Sequence, residues 1–168
     1  MVHDRSFFPL FRLKPLVALL MLLVSMDALA ASVGKSLRCL AQNIYFEARG
    51  ESIHGQLAVA LVTMNRVRSP RYPNDVCRVV WQRRQFSWTH DGKSDRPRDK
   101  AAWRQALQIA DFVYNKYTKL PEKVRRAVDI TNGALYYYAP KLAQPYWARH
   151  KQVTARIGGH VFLTPSDS

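Results

Sequence analysis

Apolar residues in this 168-residue chain first recur at helical spacing in the run Leu37, Leu40, Ala41, Ile44 and Ala48. At about 100° per residue, Glu47 projects close to Leu40, on the edge of that apolar face. Gly50 is placed to end the helix as a C′ residue in left-handed conformation. Ser52 can cap a second helix running to about Val67, whose centre, Leu57 to Val62, is apolar all round and therefore reads as the central core helix. Ser69-Pro70-Arg71-Tyr72-Pro73 breaks the chain into a loop, and Asn74 or Asp75 can cap a short helix carrying Val76, Val79, Val80 and Trp81. Phe86 and Trp88 alternate with polar residues before the turn pair Asp91-Gly92, which reads as a short strand or hairpin arm over 85–92. Asp99 caps a long helix with the core stripe Trp103, Ala106, Leu107, Ala110, Val113, Tyr114 and Tyr117. A basic stretch at 120–128 forms a short helix or loop after Pro121. Strand-like Tyr136-Tyr137-Tyr138 follows, with Tyr137 facing opposite to its neighbours. Val153–Ile157 and His160–Leu163 flank Gly158-Gly159 as a hairpin. The fold class is α+β, predominantly helical.

This pattern puts Glu47 in an unusual position for a carboxyl. It is half-turned toward the core in the last turn of its helix, at the negative end of the dipole. Both circumstances favour the protonated form and raise its pKa, as a general acid at neutral pH requires. A surface glutamate paired with Arg49 or Lys35 is the alternative.

The N-terminus changes the compartment. Arg5, Arg12 and Lys14 precede the apolar run 16–24, and Ala28-Leu29-Ala30 supplies a small-residue cleavage site. The run is shorter than the ~20 residues of a membrane-spanning helix. Residues 1–30 are therefore expected to be a secretory signal peptide. Residues 31–168 then form one domain, exported to the periplasm or cell wall, without a stable membrane anchor and acting as a monomer. An uncleaved anchor is the other reading of the same stretch. The formal charge of +14 attracts the protein to a polyanion, and the basic excess lies outside the leader, which holds three of the basic residues and two acidic ones, Asp4 and Asp27. Export sets nucleic acid aside as the partner. It also makes Cys39 and Cys77 a disulfide candidate, with two buried free thiols as the alternative.

Other chemistries find little support in the sequence. His54, His90, His150 and His160 form no HExxH, no CxxC is present, and neither a metal nor a cofactor is expected. No G-x-S-x-G nucleophile signature and no phosphate-cradling glycine loop occur. What remains is one carboxylic acid beside segments rich in Tyr and Trp. Aromatic faces stack on sugar rings, and acids protonate glycosidic oxygens. The residues alone suggest glycan cleavage outside the cytoplasm.

The run Ala41-Gln42-Asn43-Ile44-Tyr45-Phe46-Glu47-Ala48-Arg49-Gly50-Glu51 closely resembles the opening signature of the SleB/CwlJ cell-wall hydrolase family of spore-cortex-lytic enzymes. The resemblance continues through Gly55–Ala60, Asn65-Arg66-Val67, Tyr72-Pro73, Val76–Val80, Gln85-Phe86-Ser87, Thr131–Tyr136 and Ile157–Phe162. It implies a lysozyme-like catalytic domain similar to lytic transglycosylases, acting on the glycan strands of peptidoglycan, with Glu47 as the essential acid. Glu51, Gln85, Ser87 and Tyr137 are the implied substrate-groove candidates. Many exported relatives resemble C-Q-F-S-[WF]-x-C-D-G in the middle segment, whereas Arg84 and His90 stand at the two cysteine positions here. The rigidity of the 84–92 loop is therefore in question.

The resemblance leaves the second half of the reaction open. Hydrolysis needs a second carboxylate to hold or activate water, with Glu51, Asp91 and Asp129 as candidates. Lytic transglycosylation needs only Glu47 and the sugar's own 6-hydroxyl, and the likeness to lytic transglycosylases favours it. A non-catalytic peptidoglycan-binding or scaffold protein that kept the fold is the alternative from another class.

Overall fold

Buried hydrophobic side chains from four helices and two aromatic turns meet in one main core, which is set around the second helix. The computed structural model describes residues 32 and 34–166, so the expected signal peptide at 1–30 lies outside the described residues. From Lys35 onward the chain forms one unit. The helices are α1 (34–48), α2 (Ile53–Arg68), α3 (Val76–Val80), α4 (Lys100–Asn115) and α5 (Glu122–Ala127). The strands β1 (Tyr136–Tyr138), β2 (Lys151–Ile157) and β3 (His160–Pro165) form an antiparallel sheet in the order β1-β3-β2. Among the described residues, no helix is long and apolar enough to cross a membrane.

The caps act where local chemistry puts them. Ser52 accepts from the Gly55 amide at 3.3 Å, Asp75 from Arg78 at 2.8 Å, and Asp99 from Ala101 and Ala102 at 2.9 and 3.0 Å. Helix α2 is apolar all round because it is covered on two sides. Ala60, Leu61 and Met64 pack into the helical core with Leu40, Ile44, Val80, Ala106 and Val113, while Ala58 and Val62 meet Phe162 of β3 and Ala134, just before β1. The Cys39–Cys77 disulfide ties α1 to α3, with Cα atoms 5.3 Å apart.

Two expectations are corrected. Gly50 is not left-handed, since the glycines with positive φ are Gly92, Gly133 and Gly158. Helix α1 instead ends in a tight turn closed by the Glu51 amide on the Ala48 carbonyl at 2.9 Å, and this turn does not require that conformation. The 85–92 segment is not a strand or hairpin arm. Residues Ser87–His90 form a 3-10 turn, closed by the Thr89 hydroxyl on the Phe86 carbonyl at 2.8 Å. Phe86 and Trp88 are both buried, so their alternation reflects two rings entering the core from one tight turn. Trp88 stacks on Phe46 at 4.7 Å between ring centroids, meets Trp81 edge-on at 5.3 Å, and donates through Nε1 to Asn43 at 3.4 Å. These contacts anchor the loop without a disulfide at Arg84 and His90.

The hairpin turn at Gly158-Gly159 is built around Glu51. The Gly159 amide donates to Glu51 Oε2 at 2.9 Å. A Cβ added at Gly158, where φ is +56°, would collide with that same oxygen, and one at Gly159 would lie 2.7 Å from Oε1. Gly158→Ala therefore combines a strained backbone with the expulsion of a carboxylate from its only described backbone donor. It should lower stability by about 1–3 kcal/mol. Chemical denaturation of the purified variant measures this, and an unchanged midpoint would refute it.

Candidate active site

Glu47 lies in the last turn of α1, half-buried, and the residues around it fix that turn from several directions. Tyr45 is fully buried, and its hydroxyl accepts from the Arg98 and Asp99 amides at 3.1 and 3.0 Å and from Arg49 Nη1 at 3.1 Å. The end of α1 is thereby tied to the start of α4. Phe46 is held by its stack on Trp88, and Asn43 by Thr63 at 3.1 Å.

The direct partner of Glu47 comes from the sheet. Tyr137 Oη donates to Glu47 Oε2 at 3.0 Å across 90 residues of sequence. Because Tyr137 points away from Tyr136 and Tyr138, its ring packs inward against Phe162 (5.8 Å), His160 (5.5 Å, edge-on) and Phe86 (6.4 Å). Burial raises the Glu47 pKa above the usual 4.5; the Tyr137 hydrogen bond and then the Arg66 charge oppose this less strongly. Burial, reinforced by the Glu47 charge, pushes the Tyr137 phenol well above 10, so it stays a proton donor throughout the neutral range.

This pairing gives a pH prediction with a definite sign. The Tyr137 hydrogen bond favours the carboxylate and holds the Glu47 pKa down. In Tyr137→Phe the pKa rises further, the acid form persists to higher pH, and the alkaline limb of kcat/KM moves upward. A pH–rate profile on purified wall substrate checks this, and a limb that stays put or moves down would exclude the pairing as a catalytic one.

A cavity of about 330 Å³ is lined by Arg66, Arg84, Gln85, Tyr136, Tyr137, Trp147 and Lys151; of the pair, Tyr137 lines it and Glu47 does not. Gln85 and Tyr137 both line this cavity. Ser87 is exposed at the start of the 3-10 turn and does not line it. A larger cavity of about 720 Å³ lies between α5 and the 129–135 turn, and of the candidate catalytic and groove residues it contains only Asp129.

The three candidates for a second carboxylate are otherwise engaged. Asp129 accepts from Asn65 (2.8 Å), the Thr131 amide and hydroxyl (2.9 and 2.7 Å) and the Gly133 amide (3.0 Å), which closes the turn before β1. Asp91 is bonded to the backbone of Lys93 at 2.9 Å. Glu51 holds the hairpin turn, and its Oε1 lies 3.8 Å from His160 Nδ1. Burial pushes the His160 pKa below 6.5, and Glu51 offsets this only in part. The imidazole is therefore neutral at neutral pH, and the contact is not an ion pair.

Sequence reasoning gave no role to Arg66, Trp147 or Lys151. Arg66 is only 4% exposed. Its Nε donates to the Leu135 carbonyl at 2.7 Å, its guanidinium lies over the rings of Phe86 (5.2 Å) and Tyr72 (5.4 Å), and Nη1 has no hydrogen-bond partner. It stands in the polar last turn of α2 beside Asn65 and Arg68, so its sequence position does not single it out. Trp147 and Lys151 are brought to Tyr136 only by the tertiary fold.

Known proteins share this fold. The catalytic domain of the Bacillus cereus SleB protein superposes with a TM-score of 0.56 at 29% identity, covering 77% of this chain and 89% of that one. The catalytic domain of the germination-specific lytic transglycosylase SleB from Bacillus anthracis gives 0.57 at 29% identity, covering 77% and 93%. These neighbours have the lysozyme-like fold expected from the sequence. The spore cortex-lytic enzyme of Bacillus subtilis is 35% identical over 148 residues, 81% of this chain and 41% of its own length. That of Halalkalibacterium halodurans is 32% identical over 126 residues, 75% and 34%. The chain thus spans about two fifths or less of the length of these curated relatives. Residues 50–163 match the cell wall hydrolase family, a segment that contains Glu51, Gln85, Ser87 and Tyr137 and begins just after Glu47. With that match covering most of its length, the chain belongs to the cell wall hydrolase family.

Proposed function

We propose that this protein cleaves the glycan strands of peptidoglycan by lytic transglycosylation, with Glu47 as general acid and then general base. The observation that carries this reading is the Glu47–Tyr137 pair. One carboxyl has its pKa raised by burial and is oriented by a phenol at 3.0 Å, and that phenol lines a cavity together with Tyr136 and Trp147. Glu47 protonates the oxygen that links N-acetylmuramic acid to N-acetylglucosamine. The C1–O bond breaks and positive charge develops on the muramic ring. The Glu47 carboxylate then takes the proton of that ring's own 6-hydroxyl, whose oxygen bonds to C1 and closes a 1,6-anhydro sugar. No water is consumed and Glu47 ends protonated, so no second carboxylate is needed. The engagement of Glu51, Asp91 and Asp129 elsewhere in the fold favours this route over hydrolysis, and one structural neighbour is described as a lytic transglycosylase.

Mass spectrometry of digested peptidoglycan tests the assignment. Anhydro-muramic products, lighter by one water than hydrolytic ones, are expected. Reducing-end muramic acid as the main product would instead establish hydrolysis. Residues 1–30 act in this reading as a secretory signal, and the remainder works as a single catalytic domain at the cell wall, where its excess of basic residues favours an anionic polymer.

A further inference from the structure

We propose that the cavity beside Tyr137 is a saccharide subsite that selects an N-acetylmuramic acid unit with a free lactyl carboxylate, read by Lys151 and Arg84. This rests on the glycan-cleaving function above and goes beyond it by assigning specificity. Of the seven residues that line the cavity, three are cationic (Arg66, Arg84 and Lys151) and none is acidic. Arg66 is the largely buried one of the three. It has no carboxylate hydrogen-bonded or ion-paired to it among the described residues, although its charge also reaches Glu47, and its Nη1 is sealed from solvent without a hydrogen-bond partner. Lys151 is held in place, with Nζ 4.0 Å from the Tyr136 ring centroid and 6.0 Å from that of Trp147. Arg84 is exposed and sits in left-handed conformation at φ 64°, a costly geometry for an arginine that fixes where its side chain leaves the loop.

Aromatic surface is available next to these cations. Trp147 is 40% and Tyr146 70% exposed, and Tyr138 meets Trp147 edge-on at 6.1 Å. A pyranose ring stacked on Trp147 would hold its substituents near Lys151. The lactyl group hangs directly from the sugar ring, so its carboxylate falls within reach of the ring's own subsite. Carboxylates of a stem peptide lie farther along a flexible chain. In intact strands the lactyl carboxyl is locked in an amide to the stem peptide and carries no charge. It becomes an anion only after that amide is cleaved. The site therefore belongs downstream of an amide-hydrolysing reaction that strips stem peptides from the glycan.

The test uses the Glu47→Gln protein, which allows binding to be measured without turnover, and three soluble strands of equal length. One is stem-free with free lactyl carboxylates, one is stem-free with those carboxyls reduced to alcohols, and one carries intact stems. The stem-free acidic strand should bind about tenfold more tightly than the reduced strand. That ratio should fall about fivefold in Lys151→Gln and in Arg84→Gln and be retained in Lys151→Arg, with the difference shrinking as salt rises. Equal affinity for acidic and reduced strands would overturn the proposal. Tightest binding to intact strands would also overturn it, by assigning the anion to the stem peptide. Loss of affinity for both stem-free strands alike in the Lys151 and Arg84 variants would overturn the charge readout. Because these are binding ratios, they stand apart from the digestion products that test the cleavage itself.

Discussion

Glu47→Gln should reduce cleavage of peptidoglycan by a factor on the order of 10² or more while leaving the fold and wall binding in place. Glutamine keeps the shape of the side chain and an oxygen that can accept from the Tyr137 hydroxyl, now at 3.0 Å from Oε2. It has no acidic proton to give the glycosidic oxygen and no carboxylate to take one back, so both halves of the proposed reaction fail together. Stability should not suffer. Burial raises the folded pKa of Glu47, so above that pKa the ionised group costs the folded state free energy, and a neutral amide removes the cost. At neutral pH the variant should melt at the same temperature as the parent or slightly higher. The same variant separates the two classes of function considered from sequence. A clearing zone in a wall-substrate gel that vanishes in Glu47→Gln identifies an enzyme. Near-parental clearing would remove Glu47 from the chemistry, and no clearing by either protein would favour a wall-binding scaffold.

The parts of this site that could be read in the sequence are those that local chemistry decides. Ser52, Asp75 and Asp99 cap the helices they precede because a short oxygen-bearing side chain reaches amides two or three residues on, whatever surrounds them. Tyr137 faces away from Tyr136 and Tyr138 because a strand alternates, and this is enough to send one phenol inward and leave two beside Trp147. Glu47 could be recognised as a carboxyl at the edge of an apolar face, but its partner could not, since 90 positions separate it from Tyr137. The 85–92 segment misled because period-two alternation has two physical causes. A strand produces it, and so does a tight turn that drives Phe86 and Trp88 into one core. Glu51 could be taken for a second catalytic carboxylate as long as its neighbours were unknown. Gly55, Gly158 and Gly159 crowd around it in the fold, and there it serves as a clasp between the α1–α2 turn and the hairpin. Arg66 and Lys151 acquire meaning only from the cavity they share, which no local pattern encodes.

Removing the Cys39–Cys77 bridge should cost stability by about 4 kcal/mol, the largest structural effect expected of any change discussed here. The bridge closes a loop with a sequence separation of 38, and the chain entropy it withholds from the unfolded state grows with the logarithm of that length. For a domain of this size the melting temperature should drop on the order of 10 °C. The Cys39→Ser, Cys77→Ser double variant and the reduced parent should melt alike, since both lack the same link. Thermal unfolding with and without reductant measures both, and coincident melting curves for the oxidised and reduced parent would contradict the estimate. Activity well below the melting temperature should be much less affected. Cys39 stands two turns before Glu47, but the turn that carries Glu47 has its own attachments through the Tyr45 hydroxyl to Arg98 and Asp99 and through Phe46 to Trp88. The disulfide thus fastens the α1–α3 side of the core, while the position of the acid depends on packing and hydrogen bonds at the other end of the same helix. Loss of catalysis at 25 °C in a folded, reduced protein would show that the two ends are coupled more tightly than these contacts require.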